Sequence, residues 1–210
     1  MVVCFSKIKC KWEDELLMKY ISSLPVYMQN TILRLQRWQD RQLAISGKLL
    51  LLQVINQCHK KKLSLNQLEY NQNFRPFFDT DFDFNISHSG DISVCVGSNS
   101  NKVGIDIEKV QKIDLFAFRA YFTESEWATI TTSENKIEIF YNLWVRKEAL
   151  AKAIGLGLSI NLKRLDVTLN EVLYQGVVYH LQDIVIAPNY KSCVVSSSFK
   201  EDLIKIEVLI

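Results

Sequence analysis

In the stretch K-V-G-I-D-I-E-K-V, residues 102–110, apolar and polar side chains alternate. Val103, Ile105 and Ile107 fall on one side, Asp106 and Glu108 on the other. That period of two predicts a half-buried strand over 103–108. Similar short runs predict strands at 2–5, 83–87 and 92–97, and later at 165–169, 176–186, 192–197 and 203–209. The Ser89-Gly90-Asp91 turn and the S-N-S-N stretch between the runs at 83–108 suggest antiparallel hairpins.

Helical periodicity fills the intervals. Residues 13–22 fit a short helix, and Pro25 sits where a helix begins. Residues 26–58 then read as helical in two pieces, with Leu43, Leu50 and Val54 on the buried side. Residues 66–82 read as loop. Thr123 to Glu126 fits the T-x-x-E capping box, and a strong helix is expected from about Glu134 to Ile154, stopped by Gly155. Helices precede strands twice over and do not alternate with them singly, which disfavours a doubly wound parallel sheet. The expected class is α+β, with two halves of similar element order and a cleft between them.

Composition narrows the function classes. The 210 residues are 48% hydrophobic and 23% charged, enough for a substantial core. A net charge of +2 gives no general case for nucleic-acid binding. Lys60-Lys61-Lys62 reads as a favourable helix end instead. Five cysteines without a CxxC pair give neither a zinc spacing nor a disulfide framework. No membrane-length apolar run and no leader pattern is evident, so a reducing cytoplasm is expected.

Four short pieces carry candidate chemistry. Asp106 and Glu108 share a strand face about 6.5–7 Å apart, where two carboxylates repel unless they are solvated or share a cation. Such hard oxygen ligands suit Mg²⁺ alongside substrate phosphates. An ordinary acidic strand edge is an equal reading of the pair alone. In W-V-R-K-E-A-L-A-K, Glu148 and Lys152 lie one turn apart and Trp144 one turn before them. The bland reading is a surface ion pair worth a few tenths of a kcal/mol, but the tryptophan implies that this side is partly buried. F-N-I-S-H-S-G places Ser87 and His88 at a strand end, with groups suited to an anion or simply to a turn. N-F-R-P-F places Arg75 beside Pro76 in an aromatic loop, fit for phosphate or purine contact or for a plain turn. Arg34, Arg37, Arg41 and Lys48 are spaced to share a helical face. Neither a Walker A loop nor a dinucleotide-binding glycine motif occurs.

Taken together, F-N-I-S-H-S-G, V-G-I-D-I-E and L-W-V-R-K-E-A-L-A-K-A-I-G-L-G-L resemble the 4′-phosphopantetheinyl transferases, in particular the long monomeric kind that activates surfactin synthetase. The resemblance is strong from about Arg34 to Leu158. It implies two α+β halves, residues 1–102 binding coenzyme A and 103–210 carrying the metal and catalytic motifs, with the active site between them. It implies transfer of the phosphopantetheine arm of coenzyme A, the substrate, onto a serine of an apo acyl or peptidyl carrier protein. Asp106, Glu108 and Glu148 would hold Mg²⁺, with Mn²⁺ as a substitute. Glu148 would act as base, directly or through water, and Lys152 would stabilise the leaving phosphate.

The family pattern further assigns Ser87 and His88 to phosphate, Arg75 and Pro76 to the nucleotide end, and Arg34, Arg37 or Arg41 to the 3′-phosphate. Glu126 matches a further family acid that its capping role already explains. The carrier would meet the helical stretch after Phe116, and neither nucleic acid nor membrane is an expected partner. Two positions depart from the pattern: Phe74 stands where glycine is usual, and Val145 where Ser or Thr is usual. The rival functions are another Mg²⁺-dependent phosphoester or nucleotide enzyme, and a silent carrier- or coenzyme A-binding module.

Overall fold

The structure is a computed structural model and describes residues 1–60, 63–157, 160–197 and 202–210. Lys61 and Lys62 of the lysine run, and Leu158, lie outside the described residues.

The first half runs β1 (Val2–Lys7), α1 (Asp14–Ser22), α2 (Val26–Leu33), α3 (Trp38–Gln57), a small hairpin β2 (Glu69–Tyr70) and β3 (Pro76–Phe77), then β4 (Asp83–Ser89) and β5 (Ile92–Ser98). The second runs β6 (Val103–Lys109), a 3-10 stretch Leu115–Tyr121, α4 (Glu124–Thr132), α5 (Lys136–Ile154), β7 (Glu171–Tyr174), β8 (Val177–Asp183), β9 (Tyr190–Ser196) and β10 (Ile204–Glu207). One sheet has the order β10-β1-β5-β4 and the other β6-β9-β8-β7. In each, the half's first strand pairs antiparallel with its last hairpin strand, β1 with β5 and β6 with β9. Each half also packs one long helix on its sheet, α3 or α5. This is the expected α+β architecture of two similar halves. The C-terminal strand β10 crosses over and pairs parallel with β1.

Alternation along the strands sorts the cores. Cys4, Phe84 and Cys95 face the helices of the first half, with Leu50, Leu51 and Val54 of α3. Val3, Ile92, Val94 and Val96 point the other way and meet Val103, Ile105, Ile107 and Val194, so the apolar row of β6 is the seam between the halves. The opposite face of β6 lies under α5. There Gly104 is required by close approach: a Cβ on it would stand 2.0 Å from the Ala149 carbonyl oxygen and 2.6 Å from the Ala153 nitrogen. Gly155, at φ 80°, ends α5 in the left-handed conformation, its N–H bonding back to the Ala151 carbonyl.

Several expectations change. β6 does not form a hairpin with β5; it pairs with β9, because its apolar face is needed against the first sheet. Residues 165–169 form no strand. Leu165 and Val167 are buried in an extended segment whose backbone is held partly by side chains, Val167 N–H by Glu126 and the Leu165 carbonyl by Lys147. β7 at 171–174 takes the ladder position instead. The 66–82 segment contains the β2–β3 hairpin. α2 stops at Leu33 and α3 starts at Trp38, so Arg34 and Arg37 sit in the joint and share no helical face with Arg41 and Lys48.

Candidate active site

β4 and β6 are the edges of the two sheets, and they run in the same direction with a constant offset of 20 residues. No backbone ladder joins them. The polar face of β4 does: Asp83 accepts the Val103 N–H at 2.8 Å, Asn85 the Ile105 N–H at 3.1 Å, and Ser89 the Lys109 N–H at 3.0 Å. This is the physical content of D-F-N-I-S-H-S: every second residue is a short polar group that satisfies β6, and Phe84 and Ile86 between them pack on the first core.

Ser87 belongs to the same row. Its hydroxyl donates to the Asp106 carboxylate at 2.8 Å and receives the Lys152 ammonium at 3.0 Å. Ser89 donates to Glu108 at 2.7 Å. Lys152, projecting from α5, closes on Asp106 at 2.5 Å and reaches the Ile105 carbonyl. Asp106 is buried, and its second carboxylate oxygen has no hydrogen-bond partner. Glu148 and Trp144 line the same cleft one and two turns before Lys152 along α5, and with His88 they bound a cavity of about 400 Å³. The half-buried face that Trp144 implied is therefore the wall of the cleft.

The electrostatics of the acids point one way. Burial raises the Glu148 carboxyl above its usual range, and the Asp106 charge adds to this. Burial likewise raises Glu108, again reinforced by Asp106, with the Ser89 hydroxyl partly opposing. Desolvation and then the Lys152 charge lower His88. An acid face with one orphaned oxygen and two carboxyls disfavoured as anions calls for added positive charge. Among the described residues no three acidic, histidine or cysteine side chains are gathered closely enough to form a finished metal site. Lys152 supplies the local positive charge to Asp106. The donor chemistry fits a hard divalent cation, with a rearrangement of side chains needed to converge on it.

The other expected residues fare differently. Ser87 and His88 lie within β4 rather than in a turn, and both border the cleft; His88 is exposed and Ser87 is buried and tied to Asp106. Arg75 does not reach out from its loop. Its side chain is only 13% exposed and its guanidinium bonds to Asp83 and to backbone carbonyls of β6 and α5. Arg75 and Pro76 both line a second cavity of about 320 Å³ on the flank of Glu148 and Lys152. Arg41 turns back to the Leu35 and Gln36 carbonyls and borders a separate hollow by α1, leaving Arg34 and Arg37 as exposed cations at the α2–α3 joint. Phe74 does take a positive φ, 58°, the pose that glycine would hold without strain, and its ring is 85% exposed. Val145 packs in the second core, away from the cleft.

Sequence reasoning missed Lys147. It is fully buried, paired with Glu126 at 2.8 Å, and donates to the Leu162 and Leu165 carbonyls. Glu126 also closes the capping box of α4, so this pair fixes α4, α5 and the segment between α5 and β7 together. The available signal was K-E in the helix: Lys147 falls on the core side when Glu148 faces the cleft. Tyr121, on the wall of the second cavity, was also passed over.

Comparison with known proteins accounts for both halves. The family model for the 4′-phosphopantetheinyl transferase superfamily matches residues 102–199, and that for the N-terminal part of 4′-phosphopantetheinyl transferases matches residues 11–100. The 4′-phosphopantetheinyl transferase gsp of Aneurinibacillus migulanus is 34% identical over 72% of this chain and 63% of its own length. The L-aminoadipate-semialdehyde dehydrogenase-phosphopantetheinyl transferase of Xenopus laevis is 31% identical over 67% of this chain and 53% of its own length. The chain thus spans between about half and two thirds of these two relatives. The 4′-phosphopantetheinyl transferase Sfp of Bacillus subtilis is 28% identical over 91% of this chain and 89% of its own length. Two adjoining matches that together run from residue 11 to 199 and meet at the cleft, with relatives that keep the same name, place the chain in the 4′-phosphopantetheinyl transferase family.

Proposed function

We propose that this protein transfers the 4′-phosphopantetheine group of coenzyme A to a serine of an apo acyl or peptidyl carrier protein and releases adenosine 3′,5′-bisphosphate. The observation that carries this reading is the cleft between the two family-matched halves, where Asp106, Glu108, Glu148 and Lys152 stand together. In the reaction the serine oxygen bonds to the β-phosphorus, and the bond from that phosphorus to the bridging oxygen of the pyrophosphate breaks. The serine proton passes to Glu148, directly or through water. Lys152 neutralises charge on the departing phosphate once it turns from Asp106. Asp106, Glu108 and Glu148 would hold Mg²⁺, which when bound neutralises and aligns the pyrophosphate.

Coenzyme A would lie along the β4–β6 junction. His88 takes a phosphate, Pro76 borders the nucleotide end, and Arg34 or Arg37 meets the 3′-phosphate. Ser87 acts by holding Asp106. The carrier docks beside the 3-10 stretch, where Phe116 is 75% and Tyr121 44% exposed. We read residues 1–102 and 103–210 as the two halves, and the protein as a cytoplasmic monomer. A single chain supplies both walls of the cleft, and its five cysteines are thiols, as suits a reducing compartment. Among the described residues no helix is long and apolar enough to cross a membrane.

The test is to mix the protein with coenzyme A, Mg²⁺ and several apo carriers and to weigh the carriers by mass spectrometry. A gain of one phosphopantetheine on at least one carrier is expected, with Asp106→Ala folded and inactive. Coenzyme A cleavage without carrier modification would favour a hydrolase. Coenzyme A binding without any turnover would favour a silent binding module.

A further inference from the structure

We infer that Arg75 is a positioning residue that sets the place of Lys152 and Glu148 relative to Asp106. The inference rests on the transferase reading above and gives Arg75 a role beyond the nucleotide contact expected of a basic-Pro loop.

The guanidinium lies where three elements meet. One terminal nitrogen donates to the Lys152 carbonyl at 2.5 Å and to the Ala153 carbonyl at 3.2 Å. The other donates to Asp83 at 2.7 Å and to the Val103 carbonyl at 3.0 Å, with a longer contact to the Phe84 carbonyl. Asp83 in turn accepts the Val103 N–H. A single planar fork therefore ties the end of α5 to the starts of β4 and β6.

Each bond has a reason. The last four carbonyls of a helix lack partners within it. In α5, Gly155 satisfies Ala151, and Arg75 satisfies the next two, with a positive charge at the negative end of the helix dipole. Lysine could not make these bonds, because only arginine spreads its donors across a rigid plane. The Lys152 backbone held in this way is that of the residue whose ammonium meets Asp106 and Ser87. Glu148 lies one turn earlier on the same helix face. The β2–β3 loop carrying Arg75 is itself fastened to the helix end, since Asn73 donates to the Gly155 carbonyl and Asn71 accepts the Asn73 and Arg75 N–H groups. Both terminal nitrogens of Arg75 sit on protein acceptors and its side chain is 13% exposed, so the guanidinium is held within the fold at the edge of the second cavity.

The experiment measures steady-state transfer on the full chain for the parent, Arg75→Lys and Arg75→Ala, varying coenzyme A, with thermal melts alongside. For Arg75→Ala, kcat is expected to fall at least about tenfold while the coenzyme A KM moves less than about threefold, because geometry rather than ground-state binding is lost. Arg75→Lys keeps the charge but not the fork, and should fall between the two. A KM rise with kcat intact in either variant would overturn the inference in favour of ligand contact. A lower melting temperature with parental kcat and KM would reduce Arg75 to a purely structural group. If Arg75→Ala does not fold, Arg75→Lys alone decides between these outcomes. A parent that modifies no carrier would instead count against the transferase reading.

Discussion

Gly104 offers the sharpest test of how the fold sets the site. In Gly104→Ala the new methyl would stand 2.0 Å from the Ala149 carbonyl oxygen and 2.6 Å from the Ala153 nitrogen. A carbon-to-oxygen contact is comfortable at about 3.3–3.6 Å, so α5 must lift from β6 by more than about 1 Å. Both neighbours are helix backbone, and no rotamer change relieves them. Overpacking in cores costs about 1–3 kcal/mol, and a clash with backbone belongs at the upper end. For a chain of this size that is a fall in Tm of about 6–12 °C. The same lift carries Glu148 and Lys152 away from Asp106, and a misplacement of about 1 Å costs about 100-fold in rate. The assays are a thermal melt and carrier-protein transfer at saturating coenzyme A, read on the folded fraction at low temperature. A Gly104→Ala protein that melts within a degree or two of the parent and retains kcat within about twofold would refute the argument that β6–α5 contact fixes the site.

Two further outcomes follow from groups already described. Glu148 binds its proton more tightly folded than unfolded. Its ionisation therefore opposes folding, and its contribution declines as pH rises from the ordinary glutamate range through the raised folded value. Without divalent cations, Glu148→Gln should melt above the parent near pH 8 and converge with it near pH 4; parallel Tm curves over that range would contradict the shift. Phe74→Gly relieves a positive φ worth about 1 kcal/mol, so the urea midpoint should rise slightly with little change in carrier-free coenzyme A binding. A destabilised Phe74→Gly would mean that the exposed ring packs on something.

Much of this site is legible in the sequence because strand periodicity is local. The alternation of 103–108 already separates Asp106 and Glu108 from the apolar row, and the T-x-x-E box marks the start of α4. The polar alternation Asp83, Asn85, Ser87, Ser89 was equally visible, yet its meaning depended on a neighbour 20 residues away in another sheet. Turn chemistry and strand chemistry use the same residue types, so the sequence did not reveal that Ser87 partners Asp106. Residues 165–169 misled for a related reason: burial alternates there, but the backbone partners include the side chains of Glu126 and Lys147, which no propensity encodes. Arg75 shows the limit most plainly. A basic residue beside proline in a loop suggests an exposed cation, and only the closure of three distant segments around it makes it an internal tie.

The crossing of β10 has a temporal side. β1 is synthesised well before its parallel neighbour, since Ile204, paired with Val2, comes some 200 residues later. At about 5–20 residues per second, the growing chain holds β1 with one edge open for about 10–40 s. Long-range parallel pairing is also slow to form. The first half therefore cannot complete its sheet while the second is being made, although its helices can already cover one face. β10 acts as the closing stitch for a sheet whose other strands are made much earlier, so a ribosome-bound chain should remain open to strand addition on β1 until that stitch emerges.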